Sequence, residues 1–219
     1  LGLVGSEMCI RDRYNMGNVI LQVTQNCNLR CEYCVYSGSY INRVHTNKRM
    51  SFETAVKTID FLAAHSLNCN EVSIGFYGGE PLLEIELIKK AVSYAKEVFG
   101  EKKVNFNMTT NATLLNMDIA DFLVQNDFNI TISLDGPRNI HNKNRIFANS
   151  NKGTFDLIME NIALIREKYP FFDKKISFNA VIDLKQNVSC TNEFFLNYDT
   201  VATVYKGNII KNLIMDCQS

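Results

Sequence analysis

The stretch TQNCNLRCEYCVYSG carries three cysteines, Cys27, Cys31 and Cys34, spaced C-x3-C-x2-C within eight residues. Thiolates this close on one loop can converge on a soft metal centre. A closed zinc site takes four ligands and draws them from paired cysteines or cysteine–histidine pairs. The nearest later ligands are His45 and Cys69, and neither has a partner at ligand spacing. A cubane 4Fe-4S cluster with three protein thiolates would keep one iron open for a small molecule, as a catalytic zinc keeps one position open. The spacing alone leaves both a structural metal loop and an open cluster standing.

Four further stretches could bind or position a ligand. In FYGGEPLL, the pair Gly78 and Gly79 allows close approach of backbone to a ligand, and Glu80 offers an acceptor to a cation. The plainer reading is a tight turn with Pro81 opening the next helix. TTNATLL contributes Asn111, and ISLDGP contributes Ser133 ahead of Asp-Gly-Pro, which is strong turn chemistry by itself. IHNKNR supplies His141 and Arg145, the latter with the planar fork that pairs with a carboxylate.

Elements must bring these stretches together. Short β-rich runs at residues 19–23, 72–76, 104–108, 130–134, 176–182 and 200–204 read as strands. Amphipathic stretches lie between them. Phe52, Ala55, Val56, Ile59, Leu62 and Ala63 share a helical face behind a cap at Ser51, and a second face runs from Ile88 to Phe99 after Pro81. A third runs from Phe155 to Ile165 behind Thr154 as cap, and a weaker one covers 119–124. Residues 139–153 read as one long polar loop. The alternation implies α/β architecture with a parallel sheet, wound open or curled toward a barrel, and ligands at the C-terminal strand ends. The cysteines follow the first strand directly, so they belong to that face.

Lysine plus arginine and aspartate plus glutamate both number 23, and the formal net charge is zero, so nothing points to nucleic acid or an anionic membrane as partner. No apolar run approaches the ~20 residues of a membrane span, and the N-terminus does not pattern as a signal peptide, so the expected location is cytoplasmic. The remaining cysteines, Cys9, Cys69, Cys190 and Cys217, read as scattered free thiols.

CNLRCEYC resembles the cysteine signature of the radical S-adenosylmethionine (radical SAM) enzymes, including the aromatic Tyr33 before the third cysteine. GGEP resembles that family's motif for the methionine ammonium of the cofactor. TTNATLL, SLDGP and the His141/Arg145 pair resemble the subgroup that modifies peptides and proteins, including anaerobic sulfatase-maturating enzymes. The resemblance implies a partial (β/α)6 TIM-like barrel, a 4Fe-4S cluster on Cys27, Cys31 and Cys34, and S-adenosyl-L-methionine on the open iron. It implies cofactor contacts from Tyr33, Gly78, Gly79, Glu80, Asn111, Ser133 and Arg145, with Ser133 and Arg145 at the cofactor's carboxylate. The activity implied is reductive cleavage of S-adenosylmethionine to a 5′-deoxyadenosyl radical that abstracts hydrogen from a peptide or protein. An electron donor such as flavodoxin or ferredoxin would be the second partner. The alternatives are a small-molecule substrate or a non-catalytic cysteine–metal module. Where the subgroup commonly has aspartate after the histidine, this chain has Asn142. No catalytic acid or base is identified.

The first thirteen residues, LGLVGSEMCIRDR, resemble sequencing-adapter read-through, or else form a disordered tail, and are set aside from the core domain expected over 14–219. The chain is expected to stop just after the sixth strand, without the cysteine-rich auxiliary-cluster region that the subgroup carries.

Overall fold

The computed structural model describes residues 14–36, 45–182 and 188–197. Its strands are β1 (Asn18–Thr24), β2 (Glu71–Gly78), β3 (Lys103–Thr110), β4 (Asn129–Ser133) and β5 (Ile176–Asn179). They form one sheet in the order β1-β2-β3-β4-β5, every neighbouring pair parallel. Parallel neighbours need a crossover. Helices α1 (Phe52–His65), α2 (Ile85–Phe99) and α3 (Met117–Gln125) supply the first three, α4 (Arg138–Asn144) and α5 (Phe155–Lys168) together supply the fourth, and α6 (Val188–Asn197) follows β5. The α/β class and the first five strands are as expected. The expected strand at 200–204 lies outside the described residues, as do Cys9 and Cys217.

Parallel sheets covered on both faces are built from continuous apolar runs. These strands alternate instead. In β3, Phe106 and Met108 are buried while Asn105, Asn107 and Thr109 are half-buried on the other side. The apolar side, with Leu21, Val23, Ile74, Phe76, Ile130 and Ile132, packs under buried residues of the helices such as Ile59, Leu62, Ile88, Val92, Leu123 and Ile162 in one core. The opposite face is polar. Asn107 donates to Ser73 at 2.6 Å, Asn129 donates to Asn107 at 3.2 Å, and the hydroxyls of Thr131 and Ser177 meet at 3.0 Å. Above this row lies a hollow of about 270 Å³ lined by Asn18, Ile20, Tyr77 and Thr109 among others. A doubly wound sheet carries helices on both faces, so one-sided cover is the arrangement of a sheet curled toward a barrel.

Local chemistry explains the helix starts, and four features depart from expectation. Ser51 caps α1 by accepting the Thr54 N–H at 3.1 Å, and Asn116 caps α3 by accepting that of Ile119 at 3.0 Å. Pro81 instead opens a 3-10 turn, Pro81–Glu84, and α2 begins only at Ile85. The polar stretch 139–153 is not one loop, because Arg138–Asn144 is helical. Its propensity is poor, and packing of the fully buried His141 sustains it. Thr154 makes no side-chain cap on α5; Asn142 does this work, accepting the Phe155 N–H at 3.0 Å. The expected run to residue 182 shortens to Asn179, since its partner β4 ends at Ser133, opposite Asn179.

Phe128, fully buried just before β4, packs with Phe106 and Phe76 at ring-centroid distances of 5.4 and 5.8 Å. Truncation there leaves a cavity that neighbouring rings cannot fill. Phe128→Ala is expected to cost about 3–5 kcal/mol, read from the shift in the urea midpoint.

Candidate functional site

The cysteine loop leaves β1 at Thr24 and meets the exits of the next strands at the C-terminal edge of the sheet. The expected reason for Gly78 and Gly79 was approach to a ligand. The structure gives a different one. A Cβ on Gly78 would strike the carbonyl oxygen of Thr24, and one on Gly79 that of Asn26. The Gly79 N–H donates to Thr24 O at 2.9 Å and the Glu80 N–H to Asn26 O at 2.9 Å. These glycines let the β2 exit lie flush against the first residues of the cysteine loop.

Glu80 is fully buried, with a carboxylate that accepts from three donors: the Leu82 N–H at 3.0 Å, the Thr110 hydroxyl at 2.6 Å and the Asn111 N–H at 2.7 Å. Burial pushes its pKa up to about 7, against the pull of these hydrogen bonds. The carboxylate thus ties the β2 exit to the β3 exit, and about one of its four lone-pair directions is left for a further donor.

The β3 exit in turn grips the cysteine loop. Asn111 donates to Asn28 Oδ1 at 2.9 Å and toward Cys27 Sγ at 3.8 Å, Asn28 donates to the Thr113 hydroxyl at 2.8 Å, and that hydroxyl donates back to Asn111 Oδ1 at 2.7 Å. Three side chains close a ring beneath the first cysteine. Backbone N–H groups also point at sulfur, Leu29 to Cys27 Sγ and Tyr36 to Cys34 Sγ, each at 3.4 Å. Burial pushes Cys27 up to about 12 and Cys31 up to about 11, the latter against the pull of the Arg145 guanidinium. Among the described residues, no three His, Cys, Asp or Glu side chains are grouped to hold a single metal ion. A cluster does not require that convergence, because each thiolate takes its own iron.

Asp135 joins the remaining parts. Its carboxylate accepts from the Tyr33 hydroxyl at 2.5 Å, from Arg145 Nε and Nη2 at 2.9 and 3.0 Å, and from the Val181 N–H at 3.0 Å. The Arg145 guanidinium also lies 5.5 Å from the Tyr33 ring centroid. Behind this pair, His141 Nδ1 accepts the Asp135 N–H at 3.3 Å, which leaves the ring proton on Nε2 to donate to Thr154 at 2.9 Å. Burial, then the neighbouring Arg145 charge, holds the His141 pKa down to about 4, so the ring is neutral. The fork of Arg145, expected at a ligand carboxylate, is here engaged by the chain's own Asp135.

The structure therefore gathers Cys27 with Asn111 and Glu80, and Tyr33 with Arg145, around one loop. Ser133 stands half-buried at the end of β4, paired in register with Asn179. Phe76 points into the core, whereas Tyr77 is exposed on the opposite face; the period of a strand allows only one of two adjacent side chains to face the hollow. Sequence reasoning missed Asn28, Thr110 and Asp135. The third was visible in SLDGP, where its turn chemistry masked its role as an acceptor.

A family model described as the radical SAM superfamily matches residues 21–195. An uncharacterized protein of Methanocaldococcus jannaschii is 38% identical over 157 residues, which is 71% of this chain and 51% of that one. A cysteine-type anaerobic sulfatase-maturating enzyme of Clostridium novyi is 33% identical over 178 residues, 80% of this chain and 45% of that one. The solved structure of native anSMEcpe with bound AdoMet and Cp18Cys peptide superposes with a TM-score of 0.67 at 26% identity, covering 82% of this chain and 47% of that one. The chain thus spans about half the length of the curated relatives it matches.

Two outcomes follow from the geometry. Gly79→Ala is expected to lower the melting temperature and to speed hydrogen exchange across residues 24–34, because the added methyl displaces the loop backbone. Glu80 has a folded pKa raised from 4.5 to about 7, so its protonated form favours the fold and that contribution is lost as pH rises through about 7. Stability of the metal-free chain should fall between pH 4.5 and 7 more steeply than in Glu80→Gln, as read from urea midpoints.

Proposed function

The chain belongs to the radical SAM superfamily, and on that premise we propose that Cys27, Cys31 and Cys34 hold a 4Fe-4S cluster whose remaining iron takes S-adenosylmethionine. The reaction proposed is radical modification of a peptide or protein. When bound and reduced, by a donor such as flavodoxin or ferredoxin, this pairing supplies cleavage of the sulfonium to a 5′-deoxyadenosyl radical that abstracts substrate hydrogen. One observation carries the reading: the three-cysteine loop is braced at the C-terminal edge of a parallel sheet by the exits of β2 and β3 and by the segment after β4. That edge is where such sheets place ligands.

The residues present fit the group. Three sulfurs serve an open cluster, and the N–H groups of Leu29, Tyr36 and Asn111 directed at Cys27 and Cys34 favour thiolate over thiol. Burial raises Cys27 and Cys31, so iron binding would release their protons. For S-adenosylmethionine, the backbone of Gly78 and Gly79 and the last lone pair of Glu80 would receive the ammonium. Ser133 and the guanidinium N–H groups that Asp135 leaves unused would meet the carboxylate, with Asn111 facing it from β3 and Tyr33 beside the third cysteine. The hollow over the helix-free face of the sheet, which reaches Tyr77 and Thr109 near the exits of β2 and β3, would admit substrate. The peptide class rests on the relatives: one is a sulfatase-maturating enzyme and a solved structure holds a peptide with AdoMet.

Anaerobic reconstitution with iron and sulfide is expected to give about four irons per chain, a brown chromophore, and a reduced-state electron paramagnetic resonance spectrum that changes on adding S-adenosylmethionine. Cys31→Ala should lose the chromophore. Stoichiometric zinc with no iron would sink the proposal. Deuterium passing from a labelled cysteine- or serine-containing peptide into 5′-deoxyadenosine would establish the substrate class, and transfer from a small molecule alone would reverse it.

A further inference from the structure

We propose that Asp135 is a positioning residue that keeps the reduction potential of the cluster low by fixing and neutralising the Arg145 guanidinium beside the cysteine loop. This rests on the cluster assignment above and adds a role for a carboxylate that the assignment does not use.

The geometry supplies the argument. Arg145 reaches the loop on backbone that runs along it: the Arg30 N–H donates to Ile146 O at 2.9 Å, the Ala148 N–H donates to Asn28 O at 2.9 Å, and Leu29 bridges Phe147. Its side chain then meets Asp135 through two parallel hydrogen bonds while its guanidinium faces the ring of Tyr33, which immediately precedes Cys34. The Tyr33 hydroxyl returns to the same Asp135 oxygen that accepts Arg145 Nε. Guanidinium, phenol and carboxylate therefore form one unit against the loop. The Arg145 and Asp135 side chains are 9% and 1% exposed, so water screens them little.

Burying two charges is costly, and a well-packed apolar pair often serves stability as well. The position next to the cysteines supplies another reason. Adding an electron to a cluster is favoured by a nearby unpaired cation and opposed by a nearby anion, and charge around a cluster is one of the levers on its potential. Arg145 faces the ring of Tyr33, the chain neighbour of Cys34, and Asp135 accepts that ring's hydroxyl, so both charges stand against the cysteine loop. Paired, they leave the loop with hydrogen bonding and nearly no net charge. A sulfonium is a poor electron acceptor, and a donor to it must be strongly reducing. An arginine at this position without its aspartate would make the cluster a weaker donor.

The test uses the full chain, loaded anaerobically and titrated potentiometrically without S-adenosylmethionine, so that contact with the cofactor cannot contribute. Asp135→Asn, which leaves Arg145 unpaired, is expected to raise the midpoint potential. Arg145→Gln is expected to lower it, and the double variant to return close to wild type, with iron content and melting temperature measured alongside. If Asp135→Asn alone fails to load, a lowered midpoint in Arg145→Gln with restoration in the double variant still sustains the proposal. Midpoints superimposable on wild type, shifts in one common direction, or loss of iron in all three variants would overturn it. So would a variant set that loses only affinity for S-adenosylmethionine, which would confine Arg145 to the cofactor's carboxylate. A wild-type chain that takes no iron overturns the cluster assignment and this proposal together, whereas a loaded wild type with insensitive variants overturns only the latter.

Discussion

The contact between the backbone leaving β1 and the backbone leaving β2 sets where the cysteines stand, because Gly78 and Gly79 admit the carbonyls of Thr24 and Asn26 into space that any side chain would fill. With that contact made, Asn26 is registered on Glu80, and the cysteine loop departs at a defined point over the edge of the sheet. A loop bearing three thiols has little apolar material with which to order itself, although Leu29 and Cys31 are buried. It is ordered instead by being bound on several sides, by the exits of β2 and β3, by Asp135 after β4 and by residues 146–148 beyond α4.

Those bindings share a pattern: a buried polar side chain from one exit satisfies backbone or side-chain groups of the next. Glu80 spans β2 to β3, the Asn28–Thr113–Asn111 ring spans β3 to the loop, and Asp135 spans the β4 exit, Tyr33, Arg145 and the chain after β5. Buried groups of this kind stabilise only while fully partnered, and their directionality is what makes the arrangement unique. His141 belongs to the same network, kept neutral so that one ring nitrogen accepts from Asp135 and the other donates to Thr154. The Asn142 amide, standing where the resembled subgroup commonly has aspartate, anchors the start of α5 and is crowded against Gly153, where a Cβ would strike it. This gives the departure a structural role of its own.

The sheet supplies the rigid base. Its apolar face is fully engaged by the helices, and its polar face is laced by cross-strand hydrogen bonds among Ser73, Asn107 and Asn129. Strand exits can therefore carry buried charges and strained turns without carrying the core as well. Ala112, at φ 58° directly after Asn111, is one such turn, fully buried and held through its carbonyl by Asn161 of α5. A non-glycine residue in this region costs on the order of 1 kcal/mol, and the packing around β3 offsets it.

The amino-acid sequence by itself determined the strand and helix alternation, the parallel class, the cysteine spacing and the family, because periodicity and short contiguous motifs are local properties that need no long-range contact to be legible. It also placed Glu80, Asn111 and Ser133 at strand exits and Arg145 in the polar stretch that follows the fourth strand. Only the tertiary structure decided what those residues face. That the glycines of GGEP receive the chain's own carbonyls, that Asp135 rather than a turn is the purpose of SLDGP, and that Arg145 is already paired depend on segments about ten to a hundred residues apart meeting at one edge. The same limit misread 139–153 as a loop and Thr154 as a cap, since a helix of poor propensity held by one buried histidine has no signature along the chain. Hydrogen-bond partners are chosen by three-dimensional proximity and burial, and neither is written in spacing.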